Sequence, residues 1–256
     1  MQIIATTDIP AKAILGNFYC SNTVNLITWD RAYALYAHIT FIEHKGYLYV
    51  EPNKFYSKQC RKYTRRGWDI ERYISKDDVN SNLSFRRSRH IGDKDTWTIR
   101  LDTTNIQAAS TPDFVMECHM FDNSLRRSAQ FQNPSHGYYY TKGAAVYTSL
   151  IFKYKYLFDD TAWGRRLHGH VDHFTRHEIY MLNQADRHRD HWEILDQREP
   201  YPLHPLTLTR PDYWHYYDEL MPDWIALWLK ERARAPHPRD QEWEEGGVTV
   251  SPRLES

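Results

Sequence analysis

The sequence predicts an α+β fold with an antiparallel, sheet-rich N-terminal half packed with helices and a helical C-terminal half. Three observations carry this. In the first half, Trp97, Ile99 and Leu101 alternate with Thr96, Thr98 and Arg100, and Phe114, Met116, Cys118 and Met120 repeat the period of two expected of half-buried strands. Over residues 167–195, Leu167, Val171, Phe174, Met181, Ala185 and Trp192 share one arc at about 100° per residue, as on an amphipathic helix. From residue 235 the composition turns Pro-rich and acidic, which predicts one domain over 1–234 and a disordered tail over 235–256.

Taken in order, a short helix is expected at 10–15, a brief strand at 23–27, and a helix over 29–37 capped by Thr28. Residues 38–44 and 47–50 read as a hairpin turning at Lys45 and Gly46, with Gly46 supplying a positive φ. A helix over 53–66 should stop at Gly67. A second hairpin should turn at residues 92–95 and return through 96–101 with Trp97, Ile99 and Leu101 buried, and a strand should follow Pro112. Loop chemistry marks 133–137 and a turn at 141–143, while 146–158 fits strand or helix. Near the end, Trp214, Tyr217, Leu220 and Met221 form one stripe, Pro222 interrupts it, and Trp224, Leu227, Trp228 and Glu231 continue on another helix, with the Trp residues as core anchors.

Charge balances at 33 basic against 33 acidic residues, so the whole chain has no net attraction to nucleic acid or membrane. The distribution is uneven, with 13 basic and 7 acidic residues over 51–100, so a local patch can exist without a global one. Cys20, Cys60 and Cys118 are odd in number and lack CxxC spacing, which points to reduced thiols. No stretch reads as a signal peptide or a membrane span, so a cytoplasmic or nuclear setting without membrane contact is expected.

The first candidate site is the helix over 53–66, which carries six basic residues and no acidic one. Lys54, Lys58, Arg61 and Arg65 fall within about 60° of each other, opposite Tyr56, Cys60 and Tyr63. A solvated face accounts for such a stripe, and so does a surface docking phosphates, whether of nucleic acid or of another partner, or an acidic protein. The run Arg86, Arg87, Arg89 and His90 adds to the second reading.

The second candidate is the histidine stretch 168–191. His168-Gly169-His170-Val171-Asp172-His173 has the form HxHxDH and resembles the metal-binding loop of metallo-β-lactamase hydrolases over those six residues. That resemblance implies a loop in which His168, His170, Asp172 and His173 converge on a metal. The residues before it, 159–166, form no apolar strand. Read as a helix, the stretch puts His170, His173, His177, His188 and His191 at the border of the buried arc, where a ring packs and a nitrogen reaches water. His173 and His177, four apart, could then share a divalent ion. The zinc-protease pattern fails, since Met181 stands where the second histidine is required. Asp113, Glu117 and His119 suggest a nuclease-like group, but strand alternation would place all three on a solvated face.

The stretches FIEHKGYLYV (41–50), RKYTRRGW (61–68) and RRSRHIGDKDTWTIRLDTT (86–104) resemble a lineage-restricted group of uncharacterised fungal proteins over about the first 105 residues. The resemblance implies a fungal source and no activity. With no GxGxxG, Walker A, GxSxG or kinase signature, the expectation is a non-catalytic interaction or regulatory protein without a cofactor. The alternative is a metal-dependent hydrolase or oxidoreductase built on the histidines.

Overall fold

The computed structural model describes residues 7–75, 88–133, 135–158, 162–184, 214–234 and 249–250. Pro10 opens α1 (Pro10–Asn17), where its missing N–H costs nothing, and the helix buries Ala11 and Leu15. β1 (Asn25–Ile27) and β2 (Arg31–Ala34) form an antiparallel hairpin in place of the expected helix over 29–37. Thr28 caps no helix. Its backbone N–H donates to the Arg31 carbonyl at 2.7 Å, and its hydroxyl accepts from the Arg31 N–H at 3.1 Å, which tightens the turn. Cross-strand packing of Tyr33 against Leu26, both buried, decides for strand.

The first predicted hairpin is also replaced. Residues His38–Ile42 make one wide π-helical turn, closed by the Glu43 N–H on the His38 carbonyl at 3.1 Å, and His44 rather than Gly46 takes the positive φ, at 54°. Gly46 is needed for space: a Cβ there would lie 2.8 Å from Ile70 Cδ1 and 3.1 Å from Cys20 Sγ. That close approach lets β3 (Lys45–Tyr47) run parallel to β4 (Asp69–Glu71), with α2 (Lys54–Thr64) as the crossover. α2 is built as its sequence predicts. The Asn53 side chain accepts from the Tyr56 N–H at 3.0 Å, and Gly67 turns the chain away at φ 94°.

The turn after β5 (Arg89–His90) is an Asx turn in which Asp93 accepts from the backbone of Asp95 and Thr96. Its flanking strands do not pair with each other. β5 joins β7 (Met120–Arg127), while β6 (Trp97–Arg100) joins β2, giving a three-stranded sheet in the order β1-β2-β6. Along β6 Trp97, Ile99 and Leu101 share one face as their spacing predicts, but that face meets solvent instead of the core, and all four strand residues are exposed. Residues 114–120 are not one strand either. Pro112 and Asp113 start the short helix α3 (Asp113–Glu117), as Pro-acidic pairs at helix N-termini do, and β7 begins only at Met120.

β7 separates two cores. Phe121 points into the first, with Leu35, Tyr36 and Tyr140, and its neighbour Met120 points into the second, with Trp163, Leu167 and Trp224. β8 (Tyr138–Gly143) pairs antiparallel along β7 without the expected turn at 141–143, because Gly143 leaves room for Asp122 opposite it. The ambiguous stretch 146–158 resolves into β9 (Ala145–Tyr147) and β10 (Tyr156–Phe158), an antiparallel pair. Thr249–Val250, within the stretch expected to be tail, pairs in parallel with Arg126 and Arg127 as β11. The rest of 235–256 lies outside the described residues.

The second core is closed by α4 (Ala162–Gln184) and α5 (Met221–Arg234). Trp163 meets Trp228 with ring centroids 5.5 Å apart, Phe174 stacks on Trp224, and Arg166 pairs with Glu231 at 2.6 Å. Pro222 sits in the first turn of α5, where the expected second helix begins, and Trp224 and Trp228 are buried in the core as expected, while Leu227 is exposed. The buried Asp218 carboxylate ties the base of α5 to the β9–β10 connection, accepting from Lys153 N, Tyr154 N and the Tyr156 hydroxyl. Among the described residues no helix is long and apolar enough to cross a membrane, and all three cysteines are free and buried.

Candidate functional site

On α2 the buried side is narrow, with Cys60 the one fully buried residue and Tyr56 and Tyr63 half-buried beside it. Everything opposite is in water. Lys54, Lys58, Arg61 and Arg65 are all exposed, as are Lys62 and Arg66. Among the described residues none of these six side chains pairs with a carboxylate, and Lys62 lies 5.7 Å from the Tyr63 ring centroid. Phe55 stands on the same outward side with 61% of its surface exposed, edge-on to Tyr56 at 5.2 Å. At 100° per residue Phe55 lies about 140° from Cys60, between Lys58 and Arg66. Sequence reasoning missed this ring, although that wheel arithmetic would have found it. Among the described residues the face is therefore a row of cations without carboxylate partners and with an aromatic among them, a pattern whose charges could meet phosphates and whose ring could stack on a base.

The other basic run does not contribute its middle residue. Arg89 is buried, donates to Asp93 at 2.8 and 2.9 Å, and lies over the rings of Tyr36 and Phe121. It is a core cation that holds the β5 turn. Arg86 and Arg87 lie outside the described residues.

The histidine stretch is helix through Gly169, which rules out the converging loop that the HxHxDH form implies. Its residues serve different ends. His168 packs edge-on against Tyr147 and Phe158, and His170 stacks on Trp224 at 4.7 Å and 7°. Burial, and then Arg166 nearby, push the His170 pKa below its ordinary value. Asp172 is drawn to Arg176 at 3.0 Å. His173 and His177 are exposed on adjacent turns, and Met181, placed on the buried arc by its spacing, is exposed as well. Among the described residues no group of three His, Cys, Asp or Glu is placed to hold a metal ion, and residues 185–191 lie outside them.

Asp113, Glu117 and His119 are not a solvated row. Glu117 accepts from Tyr33 at 3.2 Å and from Arg31, whose guanidinium also reaches Asp113 at 3.0 Å and Asp30 at 3.3 Å. Burial and the hydrogen-bonded Asp30 raise the Asp113 pKa from its ordinary value, against the pull of Arg31. His119 points the other way into the second core, where its Nδ1 accepts from the Leu157 N–H at 3.1 Å. A cleft of about 170 Å³ opens beside Glu117, lined also by His90, Phe114, Cys118 and Ile225. His90 Nδ1 donates to the Glu117 carbonyl at 3.0 Å, and burial pushes the Cys118 thiol up to about 12, so it stays protonated. The carboxylate at the mouth of this cleft is already bound by Arg31 and Tyr33.

Family models, curated proteins and solved structures contain no match to this chain. Its function is therefore read from the geometry.

Proposed function

We propose that the protein is a non-catalytic interaction protein that docks the phosphates of a single-stranded nucleic acid on the outer face of α2. The observation that supports the reading is the exposed row Lys54, Lys58, Arg61 and Arg65, free of carboxylate partners among the described residues and flanked by Phe55. Single strands fit better than duplex because an isolated exposed ring stacks on unpaired bases. From Lys54 to Arg65 the row runs eleven residue steps, about 16 Å along the helix, enough for several consecutive phosphates.

The test is binding of a single-stranded RNA or DNA across a salt series. Four phosphate contacts give a slope of log K against log salt near −3, and the double variant Lys58→Glu, Arg61→Glu should reduce it by roughly half. Phe55→Ala should weaken binding by about 1–3 kcal/mol and leave the slope unchanged. Micromolar protein with no salt-sensitive binding to either nucleic acid sinks this reading. The same charge reversals would then be read against an acidic protein.

A further inference from the structure

The sheet β1-β2-β6 has the wrong outside for a surface that meets water. Its inner side buries Leu26 and Tyr33 in the first core, while Thr98 and Arg100 on the same side of the edge strand β6 stay exposed. An antiparallel sheet buried on one face carries polar residues on the other. Here the outward positions are Asn25 and Ile27 on β1, Ala32 and Ala34 on β2, and Trp97 and Ile99 on β6, so only Asn25 is polar. Register aligns Ile27, Ala32 and Ile99 in one row across the three strands. Ile27 is 78% exposed, Ile99 59% and Trp97 44%, and Phe41 extends the surface by stacking on Trp97 at 6.2 Å and 21°. Such side chains together expose on the order of 600 Å², the top of the range for the largest apolar patch on a soluble monomer.

We propose that this face is a homodimer interface whose occupant is a second copy of the chain. Three features favour a second copy. The face is self-complementary in relief: Ala32 and Ala34 make a valley along β2, while Trp97, Ile99 and Leu101 make a ridge along β6. A two-fold axis sets each copy's ridge into the other's valley, the isologous contact that closes at two subunits. Its area approaches the roughly 800 Å² per partner of a specific interface, with Trp97 on the edge strand β6 as an aromatic anchor. No charged side chain occupies the outward positions, and the formal net charge is zero, so two copies do not repel each other as they close. The face is separate from α2, and the dimer carries two cationic helices whether or not they bind nucleic acid.

The experiment is sedimentation velocity on the full chain across a concentration series, for the native protein and for Ile99→Asp and Ala32→Arg. The first substitution buries a charge on the ridge and the second fills the valley. Both positions lie outside the first core, so the circular dichroism spectrum and unfolding midpoint serve as controls on folding. The native chain should be a dimer at micromolar concentration, and both variants should be monomers. Hydrogen exchange of residues 97–101 provides a second measurement that needs no variant: it should slow as concentration rises. A native chain that is monomeric at about 100 µM overturns the proposal, because an interface of this size should hold at that concentration. A dimer that persists in either folded variant also overturns it, as does exchange of β6 that does not change with concentration.

Discussion

Helices α2 and α4 each carry a stripe of like titratable side chains, and the two stripes meet different fates. On α2 the buried arc is reduced to Cys60 and two half-buried tyrosines, so the cations opposite it are left wholly to solvent. On α4 the buried arc is broad, with Trp163, Leu167, Val171 and Ile179 all inside, and the histidine stripe runs along its border. The rings nearest the core, His168 and His170, are used as packing against Tyr147, Phe158 and Trp224. Among the described residues of the stripe, only His173 and His177 are left exposed. A titratable stripe is thus available for function according to its angular distance from the buried arc, about 100° to 160° on α2 and much less on α4.

If this contrast is right, the two helices differ most in what they contribute to stability. Trp163 is fully buried against Trp228, and Trp163→Ala should cost about 3–5 kcal/mol by urea unfolding. Cys60→Ala, at the single anchor of α2, should cost about 1 kcal/mol, since it removes one small buried group. Equal losses at the two sites would show that α2 is as deeply tied into the fold as α4, and the contrast would fail.

A buried histidine sharpens the comparison with the exposed pair of α4. Burial holds the His119 pKa down at about 4, against an ordinary 6.5, and its Nδ1 must stay unprotonated to accept from Leu157. Between those values the unfolded chain binds a proton that the folded chain refuses. The contribution is therefore complete above about pH 6.5 and is lost as the pH falls toward 4, a loss of about 3 kcal/mol. His119→Asn, which keeps an acceptor without a titrating ring, should flatten stability over this window. Retention of the full acid dependence in that variant would place its source in other groups.

The sequence made the class of the fold legible, and α2, α4 and the Gly67 stop with it, because each rests on local signals: a helical period, an Asn cap, a glycine at positive φ. Non-local choices were hidden. Nothing local says that β6 pairs with β2 instead of β5, or that the apolar side of β6 faces out; alternation fixes which residues share a face and not where that face points. Residues 31–34 and 113–117 exchanged helix for strand in opposite directions, since runs of four or five residues take their form from the partners they meet. At the candidate site the cations were legible from spacing alone. Arg89 was not, because only the fold brings Asp93, Tyr36 and Phe121 around it.

The smallest expected effect concerns the two histidines that α4 leaves in water. His173 and His177 are both exposed, and His173 meets the half-buried Phe174 only edge-on at 5.3 Å, so His173→Ala with His177→Ala should change metal-free stability by less than about 0.5 kcal/mol. Their spacing still lets both rings reach one zinc ion. A pair without a third protein ligand binds weakly, and at a zinc concentration near its dissociation constant the gain is about 0.4 kcal/mol. Titrating zinc against the unfolding midpoint of the native chain and of the double variant measures this. A shift of several kcal/mol that the double variant abolishes would mean that a third ligand completes the site. The stripe on α4 would then be a chemical feature, as the one on α2 is proposed to be, and the difference drawn between the two helices would no longer hold.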